Sequence, residues 1–226
     1  MRSQTLFRIL LVILVLVFAV LAFRSIMRPE KFKMVYTERH NEIRNRLITI
    51  RAAQQVYKME HKDFAKDIDE LYDFVQNGTV TIVKISGSIP EGMSEAEAFQ
   101  KGLITKTEIK YPASKRVLEM DANVREANLK NFHRIPGTDG KKFEIQTSTI
   151  KGATYEIGVY RIDVPLDDIL ANMERAISPE GANVFTRFYN YIMYTGLEDE
   201  TQYRKLYNPM FMGSLTEAST SGSWEI

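Results

Sequence analysis

The chain has no cysteine, one tryptophan and three histidines, and 30 Lys+Arg offset 29 Asp+Glu in its 226 residues. Each shortage excludes a class of chemistry. Without thiols there is no disulfide framework, no thiolate nucleophile and no cysteine-based zinc site. A net charge of +1 supplies no field for a polyanion, and no Lys/Arg run interleaves with aromatics, so nucleic acid is not an expected partner. His40 and His61 stand too far apart along one helical stretch to share a metal. The patterns HExxH, GxSxG, GxGxxG and the P-loop are absent, as is aspartate-rich calcium-loop spacing. Gly137-Thr138-Asp139-Gly140-Lys141 resembles half a phosphate loop, but it lacks the strand and helix that make such loops bind and reads as a turn. Asp167-Asp168 reads as helix-start chemistry. The expectation is a protein without catalytic residues, metal or cofactor.

What the sequence does contain is an apolar run, Ile9 to Phe23, set between Arg8 and Arg24. As a helix this run measures about 22 Å; extended from Leu6 to Met27 it reaches about 33 Å, enough for a bilayer core of roughly 30 Å with both arginines snorkelling to the headgroups. A cleaved signal peptide competes with this reading, since Arg2 and Arg8 form a basic start. Ala19 and Ala22 are wrongly spaced for a small-x-small cleavage site, so an uncleaved single span through the lipid bilayer over residues 6–27 is expected. No ionisable group lies within Ile9–Phe23, which argues against a proton-carrying role for the span itself. Counting Arg24, Arg28, Lys31, Lys33 and Arg39 after the span against Arg2 and Arg8 before it would place the C-terminal domain in the cytoplasm. Long domains, however, cross largely regardless of charge, so a periplasmic domain on an inner-membrane anchor is the expectation.

After Pro29, which should interrupt or restart the helix, Phe32, Tyr36, His40, Ile43, Leu47, Ile50, Ala53 and Tyr57 recur at spacings of three and four. They predict one long amphipathic helix, with Arg39, Arg44, Arg46 and Arg51 on the opposite face. The stripe either packs on the chain's own domain or pairs with another helix, and Ile43, Leu47, Ile50 and Tyr57 are the candidate contacts for pairing. Asp67 to Glu70 reads as a capping box before a short helix that Asn77-Gly78 stops. Thr79–Ile85 and Leu103–Tyr111 read as strands around a short helix capped at Ser94, and Val117–Met120 as a further possible strand. Lys142–Ile150 and Ala153–Val164 read as a hairpin. Leu166–Ile177 and Asn183–Tyr194 read as helices.

The fold class expected is therefore α+β. An N-terminal transmembrane helix and a long amphipathic helix precede a small, mainly antiparallel sheet packed with short helices. The organisation expected is a short N-terminus and anchor (1–28), a stalk helix (29–62), a globular domain (63–212) and a flexible Ser/Thr/Gly-rich tail (213–226). The segment around Tyr191, Met193 and Tyr194 holds more aromatics and methionine than one short helix readily buries, which marks it as a candidate interaction surface. Trp224, in the tail, is a candidate docking residue.

Two resemblances bear on this layout. Arg44 to Val75, with Arg51-Ala52-Ala53-Gln54-Gln55-Val56-Tyr57, a turn, Phe64 and a helix at Leu71, resembles the region of type IV pilins and pseudopilins where the N-terminal helix meets the head. The chain departs from that family in having no glycine before a phenylalanine at a prepilin cleavage site and no glutamate early in the apolar run. Lys84-Ile-Ser-Gly-Ser-Ile-Pro-Glu-Gly92, with the ending Met212-Gly-Ser-Leu-Thr-Glu-Ala218 and Gly222-Ser-Trp-Glu225, is similar to a family of single-span envelope proteins of Gram-negative bacteria, which implies location and no mechanism. Together these readings imply a membrane-anchored structural or scaffold subunit of an envelope assembly, whether secretory, pilus-like or energy-coupling, with other envelope proteins or a second copy as partners. The alternative is a membrane-tethered periplasmic domain that binds or senses a ligand.

Overall fold

Helix α1 runs from Arg2 to His61, 60 residues in one element, in the computed structural model, which describes residues 2–152, 154–177, 181, 183–194 and 207–225, without the side chains of 2, 3, 28, 29, 174, 177, 193 and 194. The expected interruption at Pro29 does not occur. A proline deletes one amide donor from the helical ladder, and here the turns on both sides continue the helix across it. The segments expected as anchor and stalk are thus one helix. Its apolar stretch is uncovered by the rest of the chain, with Ile9, Leu14 and Phe18 each about half exposed or more. Farther along, the same helix buries Ile43, Leu47, Ile50, Ala53 and Val56.

Helix α2, Ile68–Asn77, begins where the Asp67 side chain accepts hydrogen bonds from the amides of Asp69 and Glu70. The reciprocal half of the expected capping box is absent, because Glu70 instead accepts from the Tyr57 hydroxyl at 2.6 Å. Strands β1 (Thr79–Gly87) and β2 (Ile104–Pro112) pair antiparallel from Thr79↔Pro112 to Gly87↔Ile104. Between them lies α3, Glu95–Gln100, held by a full Ser94/Glu97 capping box. Val117–Met120 is helical, not a strand, and belongs to α4 (Ala113–Met120). Ala113 and Val117, four apart, bury one face, and α4 packs against α2. Helix α5 is Glu126–Leu129.

A second sheet, in the order β3-β4-β5, consists of Gln146–Lys151, Glu156–Val164 and Met210–Gly213. The first strand of the expected hairpin starts later than the alternation suggests. The Phe143 amide donates to His133 O at 3.0 Å and Lys142 bridges to Arg134, so these residues pair with the preceding loop. Helices α6 (Leu166–Leu170) and α7 (Met173–Ile177) are separated at Asn172, whose φ of 52° breaks the expected single helix. Helix α8 is Val184–Tyr194. The fold is α+β with two small antiparallel sheets where one was expected.

The chain forms two compact units, which cut across the expected domain boundaries. One comprises Met1–Glu42, Pro136–Asp139 and Val164–Pro209; the other comprises Ile43–Ile135, Gly140–Asp163 and Met210–Ile226. The core of the second contains Leu71, Val75, Val117, Phe132, Phe143, Tyr160 and Ile162, together with the α1 positions above. In the first, Phe32 and Tyr36 are buried, with the Tyr207 ring 5.7 and 3.9 Å from theirs, alongside buried Ile169 and Leu170.

Candidate functional site

The chemistry of the structure is concentrated in polar side chains of α1 that grip main-chain groups of other segments. In the first unit, Arg39 is 7% exposed and donates to Ile169 O at 3.0 Å and to Ala171 O. Its guanidinium lies against Gly137, where a Cβ would come within 2.3 Å of Arg39 Cζ and where φ is +78°, so only glycine fits. Burial lowers the Arg39 pKa, and nearby Glu42 opposes the shift.

In the second unit, Arg46 is 8% exposed and donates to Asn131 O at 3.2 Å and Arg134 O at 2.6 Å. Gln54, fully buried, forms a two-way amide pair with Ala65, donating to its carbonyl at 3.0 Å and accepting from its N–H at 2.9 Å. Glu60 accepts from the Thr81 amide at 2.9 Å at the start of the β1–β2 arm, a bond that is the main cause of its lowered pKa. Burial and the Glu70 bond push the Tyr57 phenol up to about 12. Arg51 reaches Glu225 at 2.7 Å and Asp121 at 3.5 Å. Burial alone would raise Glu225, but Arg51 and the Gly222 amide hold it below the usual carboxylate range. These contacts hold loops to a helix, with Arg39, Arg46 and Gln54 buried and the Glu60 and Glu225 contacts at the surface.

The candidate contact residues divide into three groups. Ile43, Leu47 and Ile50 are fully buried and Tyr57 nearly so, and all four line the core of the second unit. The face read as a possible seam with another helix is covered by the chain itself. Tyr191 is 69% exposed on α8, and the side chains of Met193 and Tyr194 lie outside the described residues. Trp224 is half-buried: its ring covers Gly222, where a Cβ would lie 2.3 Å from Trp224 Cη2. The tail read as flexible is laid along β5, with Gly213 N–H donating to Ser221 O and Ser223 N–H to Phe211 O, both at 2.9 Å. Glycine and serine suit this return because they let the backbones approach closely.

Sequence reasoning placed Arg39 and Arg46 on the solvent face, and that is corrected here. Positions 39, 43, 46 and 50 follow the helical spacing of four, three and four, so the arginines share the stripe of Ile43 and Ile50. Arginine on an apolar stripe was the available signal for a buried clamp.

Another polar group in the second unit is confined in the interior. His133 is 7% exposed, its ring 4.1 Å from that of Tyr72, with Nε2 accepting from Arg134 at 3.1 Å and Nδ1 buried without a hydrogen-bond partner. Burial, reinforced by Arg134, Lys142 and Arg46 against the opposing effect of Asp69, lowers its pKa. Among the described residues no cluster of three or more His, Cys, Asp or Glu could hold a metal.

Among the described residues, two apolar surfaces are uncovered apart from the stretch near the N-terminus. One is the β1–β2 arm, where Val83, Ile85 and Ile109 on the strands and Ile89, Phe99 and Leu103 around α3 are 40–54% exposed. The other is α8, with Val184, Phe185 and Phe188 at 63–87%. No protein-family model, curated protein or solved structure matches the chain.

Proposed function

We propose that this protein is a membrane-anchored, non-catalytic scaffold subunit of a cell-envelope assembly, with a single span over residues 6–27 and its folded domain in the periplasm. The observation that carries the reading is the division of labour along α1. Its N-terminal stretch is apolar and uncovered, whereas Arg39, Arg46, Arg51, Gln54, Tyr57 and Glu60 each bind a different segment of the chain. An exposed apolar helix of this length is stable only in lipid or against protein. A helix so heavily clamped suits an element that transmits force, and its buried Arg39, Arg46 and Gln54 are engaged in folding. Partners meet the apolar surface that the fold leaves on the β1–β2 arm, where Val83, Ile85 and Ile109 are exposed. The resemblance of Arg44 to Val75 to the helix-to-head region of pilins supports an anchor helix that continues into a folded domain, although the sequence departs from that family at the processing site.

The alternative, a tethered ligand-sensing domain, requires polar groups converging on a cleft. Arg39, Arg46 and Gln54 bind main-chain groups instead, which favours the scaffold.

The test is purification of tagged full-length protein from native membranes in mild detergent, with mass spectrometry of what accompanies it. Recovery of other envelope proteins in fixed stoichiometry, lost when Val83 and Ile85 are replaced by Asp, is the expected result. Recovery of the chain alone from membranes in which it is abundant and folded contradicts the proposal.

A further inference from the structure

Helix α8 carries its amphipathic pattern inside out. At about 100° per residue, Tyr191, Val184, Phe188, Ile192, Phe185 and Tyr189 fall in that order on one arc of about 160°. Thr186, Asn190 and Arg187 lie on the remainder, which they share with Met193 and Tyr194, whose side chains lie outside the described residues. In a helix packed on a soluble domain the apolar arc is buried and the polar positions meet water. Here polar Asn190 is the buried position, 9% exposed, and Ile192 is half-buried. Val184 is 80% exposed, Phe185 87%, Phe188 63% and Tyr191 69%. The helix is properly begun, with Asn183 Oδ1 accepting from the Thr186 amide at 2.7 Å, so the aromatic display sits on a formed helix.

We infer that α8 is a membrane-interface helix, whose aromatic arc lies in the headgroup and acyl boundary of the bilayer that the anchor spans. The inference rests on the membrane-tethered reading above and adds to it a second, peripheral contact. Three observations select lipid over a protein partner. Helix α8 belongs to the same compact unit as residues 1–42, which contain the apolar stretch, so the two uncovered apolar faces are carried by one unit. Its arc combines phenylalanine with tyrosine, an apolar body with a polar tip, as side chains at bilayer interfaces do. It contains no acidic residue, and its one charge, Arg187, flanks the arc on the Tyr191 side, where a guanidinium can reach lipid phosphates.

The absence of cysteine makes the test direct, because one introduced thiol is the only one present. Full-length Phe188→Cys and Phe185→Cys are labelled with an environment-sensitive fluorophore and reconstituted in phosphatidylethanolamine/phosphatidylglycerol vesicles, with or without lipid bearing a nitroxide near the top of the acyl chain. Leu14→Cys reports the anchor, and Lys151→Cys, on an exposed side chain of the β3–β4 turn, reports water. The expected result is blue-shifted emission and loss of fluorescence to the nitroxide lipid at 188, 185 and 14, with neither at 151. Quenching at 14 but none at 188 and 185 overturns the inference and leaves the anchor intact. No quenching at 14 overturns both. A label at 188 shielded from aqueous iodide and also from nitroxide lipid means that a protein occupies the face, and overturns the lipid assignment. Both substituted positions are largely exposed, so neither removes core packing.

Discussion

The C-terminal half of α1 and helix α8 have the same kind of sequence pattern and opposite surroundings. On α1, Ile43, Leu47 and Ile50 point into the core, and even the arginines of that stripe, Arg39 and Arg46, are buried against carbonyls. On α8, Val184, Phe185, Phe188 and Tyr191 are exposed and Asn190 is buried. Periodicity identifies a face, but the solvent of that face depends on what the rest of the chain brings to it. In α1 the covering groups come from other segments, from the adjacent turn at Ala65 to the distant loop at Asn131.

Substitutions that exploit this contrast rank by expected effect. Leu47→Ala removes a fully buried side chain and should cost about 2–5 kcal/mol, read as a lower denaturation midpoint in detergent. Trp224, the only tryptophan, is a convenient fluorescence reporter because its ring rests on Gly222. Gln54→Leu leaves the Ala65 N–H and C=O without their partner in a buried turn and should cost about 1–3 kcal/mol by the same measurement. A loss as small as that of a surface substitution would show that the clamp is dispensable.

Tyr160→Phe goes the other way. The Tyr160 hydroxyl is buried without a hydrogen-bond partner, and burial raises its pKa. Removing it should raise stability by about 1 kcal/mol; a fall of similar size would mean that the hydroxyl has a partner in solution. A smaller effect is expected from His133. Its folded pKa lies below the ordinary 6.5, so the unfolded chain takes up this proton first and stability falls as pH drops through 6.5 toward the folded value. Above 6.5 the residue contributes no slope. His133→Phe, which retains an aromatic ring against Tyr72, should flatten this part of the stability-versus-pH curve. An unchanged slope would assign it to other groups. Smallest of all, Phe188→Ser should alter stability in detergent by less than about 0.5 kcal/mol despite deleting a large aromatic. A loss like that of Leu47→Ala would show that α8 packs inside the protein.

Local signals were legible where local chemistry decides. The Ser94/Glu97 capping box, the Asp67 cap and the stripe on α1 follow from neighbouring residues alone. The two-sheet arrangement was hidden because β5 is only four residues long and joins β4 from far along the chain. The ordered course of the C-terminal segment was hidden for a similar reason: Ser and Gly suit a flexible tail as well as a close backbone return, and the Arg51–Glu225 pair spans most of the sequence. Pro29 misled because one missing amide is a small loss within so long a helix. Of the candidate contacts, Tyr191 stands on an exposed face, whereas Ile43, Leu47, Ile50 and Tyr57 were identified as one face without the sequence showing what covers it.

The most direct test of the account is the reactivity of Leu47→Cys, the only thiol in such a variant, toward a small water-soluble maleimide. The protein is compared in native membranes and after detergent has separated it from any partner. Because the face is core, the thiol should remain protected in both states and react only at the rate of unfolding. Rapid reaction in detergent while the domain stays folded would show that this face is a seam between chains, and would contradict the account.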